Sequence, residues 1–303
     1  MKRLLFMLCL SLISGPTFAK LNVFACEPEW QALVTELGGD RVNVISATGA
    51  LQDPHHIQAR PSLLARMRRA DLVVCTGAEL EAGWLPVLLR KAGGRSVQPG
   101  NDGYFEAAVQ VELLGIPETV DRAMGDIHAA GNPHIHTDPN NILRVAIALI
   151  ERLKIVDPGN SALYESQGDD FLKRWRAAMA RWQKEAAILR GTPILVQHDS
   201  WIYLNRWLGL RQLASLESKP GIAPTANHLT SVVEIARNKR ARMILRAAYQ
   251  EERASVWLSE KTGIPAVTLP FTVGGNDMAK DLFGLFDETI RLLLNVSEHS
   301  HGN

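Results

Sequence analysis

Short apolar runs alternate with helical patterns along most of this chain. "NVFAC" (Asn22 to Cys26) has the continuous apolar character of a buried strand, and Glu29 to Leu37 carries apolar residues at helical spacing until Gly38-Gly39 stops it. "RVNVISA" reads as the next strand, Pro61 to Arg69 as a helix with Pro at its first position, "DLVVCTG" as a strand, and Trp84 to Lys91 as a helix closed by Gly93-Gly94. Asp138-Pro139 opens an amphipathic helix over Asn140 to Leu153. The alternation resumes with strands "PILVQ", "RQLASL", "ARMILR" and "PAVTL", and with helices over Leu229 to Asn238, Gln250 to Thr262 and Lys280 to Leu294. This order predicts mainly parallel sheets with helices on both faces.

Between the two alternating blocks the pattern changes. Ser161 to Leu189 is one long helical stretch, rich in charge and Trp, with Gly168 as its weak point. It exceeds an average globular helix. The Trp and basic residues of "KRWRAAMARWQK" fit a stripe that packs on a core better than a membrane-active face. The expected fold is therefore α/β: two Rossmann-like lobes joined by a long rigid bridging helix, with a cleft between them. The expected boundaries are 20–157 for the first lobe, 158–190 for the bridge and 191–303 for the second lobe. A continuous helical strut resists hinge motion better than a glycine-rich linker.

Composition narrows the class. The chain has 303 residues, 46% of them hydrophobic, which suits two cores and excludes a disordered or fibrous chain. A net charge of +1 offers no basic field for nucleic acid. Residues 1–19 read as a secretory signal peptide: Lys2-Arg3, the short apolar run Leu4 to Ile13, then "SGPTFA" with Ala19 at the cleavage position. Its removal would change the net charge from +1 to −1, because it holds Lys2 and Arg3 and no Asp or Glu. We therefore expect a soluble, exported, monomeric product. Cys26 and Cys75 remain, each ending a strand-like run. They could form a disulfide if those strands are neighbours, and two buried free thiols fit the pattern equally.

The histidines carry the chemistry. His299 and His301 lie in a polar tail, while the others gather at loops and strand ends. His55 and His56 follow the second strand, His134 and His136 precede a helix, and His198 ends the run "PILVQ". Ligands of open α/β sheets bind beyond the carboxyl ends of the strands. His55 and His134 from the first lobe and His198 from the second can meet there. Neutral imidazole suits zinc, and Pro54 and Pro133 restrain the backbone just before each ring. Asp53, Asp138 and Asp199 are candidates to orient the rings. His128 reads as a solvated loop residue able to capture metal transiently. "TVGGND" is no phosphate loop, because the Gly-Lys-Ser/Thr ending is missing.

Three of these stretches resemble a known family. "DPHHIQARPS", "NPHIHTDP" and "QHDSWIYL" are similar, in order, to the metal-site motifs of the periplasmic binding proteins of zinc and manganese ABC transporters. "ELGGDRV", the bridging helix and "DLFGLFDETIRLL" extend the resemblance over essentially the whole mature chain. It implies a metal in the interlobe cleft, held by His55, His134 and His198, with His56 and His136 as neighbours, and an ABC permease as partner. Many members place a fourth, carboxylate ligand in an "F-T-D"-like segment. Here "PFTVGGND" has Val273 at that place. Asp277 in the following Gly-rich loop is the candidate fourth ligand, with water as the alternative. Three imidazoles without an anion favour Zn²⁺ over manganese. The expectation is a periplasmic zinc carrier and no enzyme. Its rivals are a manganese or other divalent-metal carrier of the same family, and an exported zinc hydrolase using Asp53, Asp199 or Glu217 as base, for which no H-E-x-x-H helix exists.

Overall fold

The computed structural model describes residues 19–120 and 125–299; the signal-peptide segment, apart from Ala19, lies outside them. Two four-stranded, all-parallel sheets organise the chain. The first has the order β2-β1-β3-β4, with β1 Leu21–Ala25, β2 Val42–Ser46, β3 Leu72–Cys75 and β4 Tyr104–Glu106. The second has the order β6-β5-β7-β8, with β5 Pro193–Val196, β6 Arg211–Ser215, β7 Met243–Ala247 and β8 Ala266–Leu269. The helices are α1 Pro28–Gly38, α2 Pro61–Met67, α3 Leu85–Ala92, α4 Pro139–Val156, α5 Ser161–Glu185, α6 Ile202–Leu208, α7 Ala226–Asn238, α8 Arg253–Thr262 and α9 Leu282–His299. Two elements, β4 and α6, go beyond the sequence expectation. β4 is three residues long, too short for its period to register, and α6, seven residues like α2, lacks the Pro that marks the start of α2.

Strand alternation explains the layers. Val23 and Ala25 of β1, with Leu72 and Val74 of β3, face the interior between the lobes; Phe24, Cys26, Val73 and Cys75 face α2 and α3. The second sheet repeats the scheme. Ile194 and Val196 face inward, while Leu195 and Ile244 pack with Val232 of α7 and Leu258 of α8. The inward faces of both sheets belong to one continuous apolar cluster that also takes in α4, α5 and α9.

Helix α5 runs through that cluster. Its buried residues Tyr164, Gly168, Phe171, Trp175, Ala178 and Trp182 fall at three- and four-residue steps along one face. A helix of 25 residues is about 38 Å long. The sequence marks Gly168 as a weak point, yet the helix is unbroken there. A Cβ at Gly168 would lie 2.5 Å from Ile150 Cδ1, so glycine permits the close approach of α4. Trp175 and Trp182 meet Phe283 and Phe286 of α9 at ring separations of 4.9 and 5.1 Å, and Trp175 Nε1 donates to the Pro139 carbonyl at 2.9 Å. One rigid element thus touches both lobes.

Cys26 and Cys75 form a disulfide at the ends of neighbouring strands β1 and β3. Free thiols were the other reading of the sequence; strand adjacency brings the two Cα atoms to 4.8 Å and decides for the bond. Glu81 lies near the sulfurs, but bonded sulfurs offer no thiolate to a metal. Beneath the bridge, Glu27 and Glu81 are a fully buried carboxyl pair. Burial, and then the facing Glu81 charge, hold Glu27 well above the usual carboxylate range. Burial pushes Glu81 up to about 7, although the Thr76 and Gly77 N–H groups donate to it.

Two outcomes follow. The bridge spans 49 residues of sequence, so C75S should lose roughly 2–4 kcal/mol of unfolding free energy in denaturant titration. The folded chain holds the Glu81 proton more tightly than the unfolded chain. That contribution to stability is therefore complete below the unfolded value of 4.5 and is lost as pH rises through about 7. E81Q should flatten the fall between pH 5 and 8, which amounts to at most about 1.4 kcal/mol per pH unit for one proton. An unchanged slope in E81Q would refute the assignment.

Candidate metal centre

The loops after β2 and β5 and the approach to α4 converge at one place. Ligand nitrogens of His55, His134 and His198 lie within 4.8 Å of one another, and all three residues are buried. Each ring is set by local structure. His55 follows Pro54, whose carbonyl accepts from Trp84 Nε1 at 3.0 Å, which fixes the loop to the first lobe. Asn132 accepts from the His134 backbone N–H at 3.0 Å and donates to the Asp199 carbonyl of the second lobe at 2.7 Å. His198 lies just beyond β5, at its carboxyl end.

Carboxylates orient two of the rings. Asp53 Oδ1 is 2.8 Å from His55 Nδ1, and Glu217 Oε2 is 2.7 Å from His198 Nδ1. With Nδ1–H donated to an anion, each ring turns an Nε2 lone pair toward the centre. His134 has no such partner: its Nδ1 is buried without a hydrogen bond. A buried ring nitrogen left alone is unfavourable, and a cation relieves such a cluster.

Protonation states agree with this layout. Burial, then the His55 and His198 rings, hold His134 well below the usual imidazole value, so it is neutral. Burial opposes charge on His198 too, but the bonded Glu217 outweighs it and raises the value. Burial also works against the Asp53 carboxylate, and its bond to His55 overcomes it and lowers its value.

Several sequence readings change here. Glu217, not Asp199, orients His198; Asp199 Oδ1 accepts from Gln212 instead, at 2.8 Å. Asp138 caps α4 by accepting from the Asn140 N–H at 2.8 Å. His136 turns away, its Nε2–H donating to the Phe271 carbonyl at 3.0 Å. Phe271 is buried between His134 and Trp201, with ring separations of 5.3 and 5.5 Å, so the wall beneath α9's leading loop is aromatic. Asp277 is exposed and does not join the ring cluster. The loop folds back on itself through Gly274 N–H to the Ala279 carbonyl at 2.6 Å, and Gly275 packs on Pro270, which turns Asp277 outward. His128, read as solvated, instead faces the centre: its Nε2 is 3.2 Å from His55 Nε2. Burial, with the His55 ring, pushes it down to about 4. A cavity of about 180 Å³ opens beside the rings, lined by His128, Asn132, His134, His198 and Pro220 among others.

Two parallel-sheet lobes around a buried imidazole cluster define a two-lobed solute-binding protein for a cation. Residues 23–296 match the family described as "Zinc-uptake complex component A periplasmic". The chain belongs to this family, the extracytoplasmic substrate-binding components of metal ABC transporters, which bind rather than transform their substrates. It is 23% identical over 240 residues to the zinc-binding lipoprotein AdcA of Streptococcus pneumoniae, covering 78% of this chain and 46% of that one. It is 23% identical over 263 residues to the manganese ABC transporter substrate-binding lipoprotein scaA of Streptococcus gordonii, covering 84% and 80%. A crystal structure of ZnuA superposes with a TM-score of 0.74 at 21% identity, covering 90% of this chain and 99% of that one. The relatives carry different metals in their names, so membership establishes a divalent cation and leaves its identity to the site. Among the described residues no helix is long and apolar enough to cross a membrane.

Glu217 is the accessible test of this geometry. In the metal-free protein, E217Q should lower the His198 pKa, because burial is then opposed only by the weaker charges of Asp199 and Asp53. Histidine-resolved NMR titration reads this directly. The same change should weaken metal affinity on the order of 10–100-fold, as loss of an orienting partner does.

Proposed function

We propose that this chain captures Zn²⁺ in the periplasm and passes it to the membrane permease of an ABC transporter. His55, His134 and His198 are the ligands. The observation that carries this is the trio of buried ring nitrogens within 4.8 Å, two of them anchored through Nδ1 to carboxylates. Neutral nitrogen donors favour zinc and its neighbours in the transition series over manganese, which prefers oxygen. The oxygens nearest the rings, on Asp53 and Glu217, are engaged by Nδ1 atoms. A disulfide is consistent with an oxidising compartment, and the signal-peptide reading of residues 1–19 supplies the route there. The protein acts as a monomer with one ion. Transfer requires a permease-docked state that binds the ion less tightly than the free state does.

Elemental analysis of protein purified from the periplasm without added metal tests this reading. About one zinc per chain is expected, and H134A should lose it. A protein that holds no zinc, or an H134A variant that holds as much as the parent, would overturn the proposal. A dominant manganese content would reassign the cargo within the same family.

A further inference from the structure

The segment at 125–132 brings His128 against the three-histidine cluster at His55. We infer that His128 supplies the fourth protein nitrogen and so sets the preference of the site for a nitrogen-loving cation; this rests on the three-histidine reading above. A tetrahedral ion with bonds of 2.0–2.1 Å holds its nitrogens about 3.3–3.4 Å apart. His55 Nε2 and His128 Nε2 stand 3.2 Å apart, close to that spacing. The Asp53 bond keeps the His55 proton on Nδ1, so His55 Nε2 is an acceptor. Without metal, His128 Nε2–H donates to it. A cation arriving between them replaces that hydrogen bond: His128 carries its proton on Nδ1 instead, and both Nε2 lone pairs face the ion. The exchange needs a tautomer change in His128 and a shift of its ring toward His134 and His198.

The segment is held from both sides. The Ala129 N–H donates to Glu79 Oε2 of the first lobe at 2.5 Å, and the Asp126 N–H donates to the Pro220 carbonyl of the second at 2.9 Å. Glu79 follows Gly77 and Ala78 in a run of left-handed backbone, with φ of 77°, 49° and 67°. Ala and Glu adopt this conformation rarely, and it concentrates where the chain must aim a side chain. Gly221 N–H, next to Pro220, donates to the Glu217 oxygen that orients His198. The His128 segment and the His198 ring therefore share one hydrogen-bonded support.

Four neutral nitrogens without an oxygen disfavour manganese more than three nitrogens and a water do. X-ray absorption of the zinc-loaded protein decides the matter, since scattering from outer ring atoms counts imidazoles. The wild type should show four and H128A three plus an oxygen. H128A should also lose zinc affinity on the order of 10²-fold or more in chelator competition, above the loss of an orienting partner. Its zinc-over-manganese preference should narrow, and added imidazole should restore the fourth ring. A wild type with three imidazoles, and an H128A variant of unchanged affinity while H134A fails, would refute the role of His128 and leave the three-histidine site standing. A wild type that binds no zinc would remove both.

Discussion

Everything in this molecule depends on the spacing between its two sheets. That spacing is set by a single apolar cluster shared by the inward faces of β1, β3, β5 and β7 and by α4, α5 and α9. Close-packed interiors resist small displacements. Rings that come from loops as far apart in sequence as His55 and His198 therefore stay within bonding reach of one ion. A hinge made of flexible chain would let them separate. The stripe from Tyr164 to Trp182 on α5, and its aromatic contacts with α9, give the strut a wide base on each lobe.

The cleft keeps two of its rings neutral and aims two others. Burial strips charge from His134 and His128, while Glu217 and Asp53 lock the tautomers of His198 and His55. A ring whose proton is already placed has less to rearrange when a cation arrives. Phe271 packs its ring on His134 at 5.3 Å and gives that side of the cluster an apolar wall. On the proposed three-histidine reading, selectivity follows from the donor atoms and the rigidity of their supports.

A second polar economy operates in the first lobe. Glu27 and Glu81 are buried under the Cys26–Cys75 bridge, and both resist ionisation. Gly77, which donates to Glu81 together with Thr76, begins the left-handed turn that ends at Glu79. Cys75 of the disulfide, Glu81 of the buried pair and Glu79, which holds the His128 segment through the Ala129 N–H, thus lie along one short stretch of chain. The cross-link holds β1 and β3 together where this turn departs.

The local pattern alone determined much of this. Short apolar runs and helical spacings defined two β/α blocks and the long helix between them, and Pro-flanked or strand-end positions singled out His55, His134 and His198. The short elements β4 and α6 escaped: three residues carry too little periodicity, and α6, unlike the equally short α2, has no Pro to mark its start. Only the tertiary structure decided which carboxylate meets which ring. Glu217 is 19 positions from His198, and parallel pairing of β5 with β6 brings it near, whereas adjacent Asp199 points elsewhere. It likewise decided that Cys26 bonds Cys75, that Asp277 faces solvent and that His128 faces the rings. These are long-range pairings set by strand order and loop course, and the identity of a residue and its immediate neighbours does not encode them.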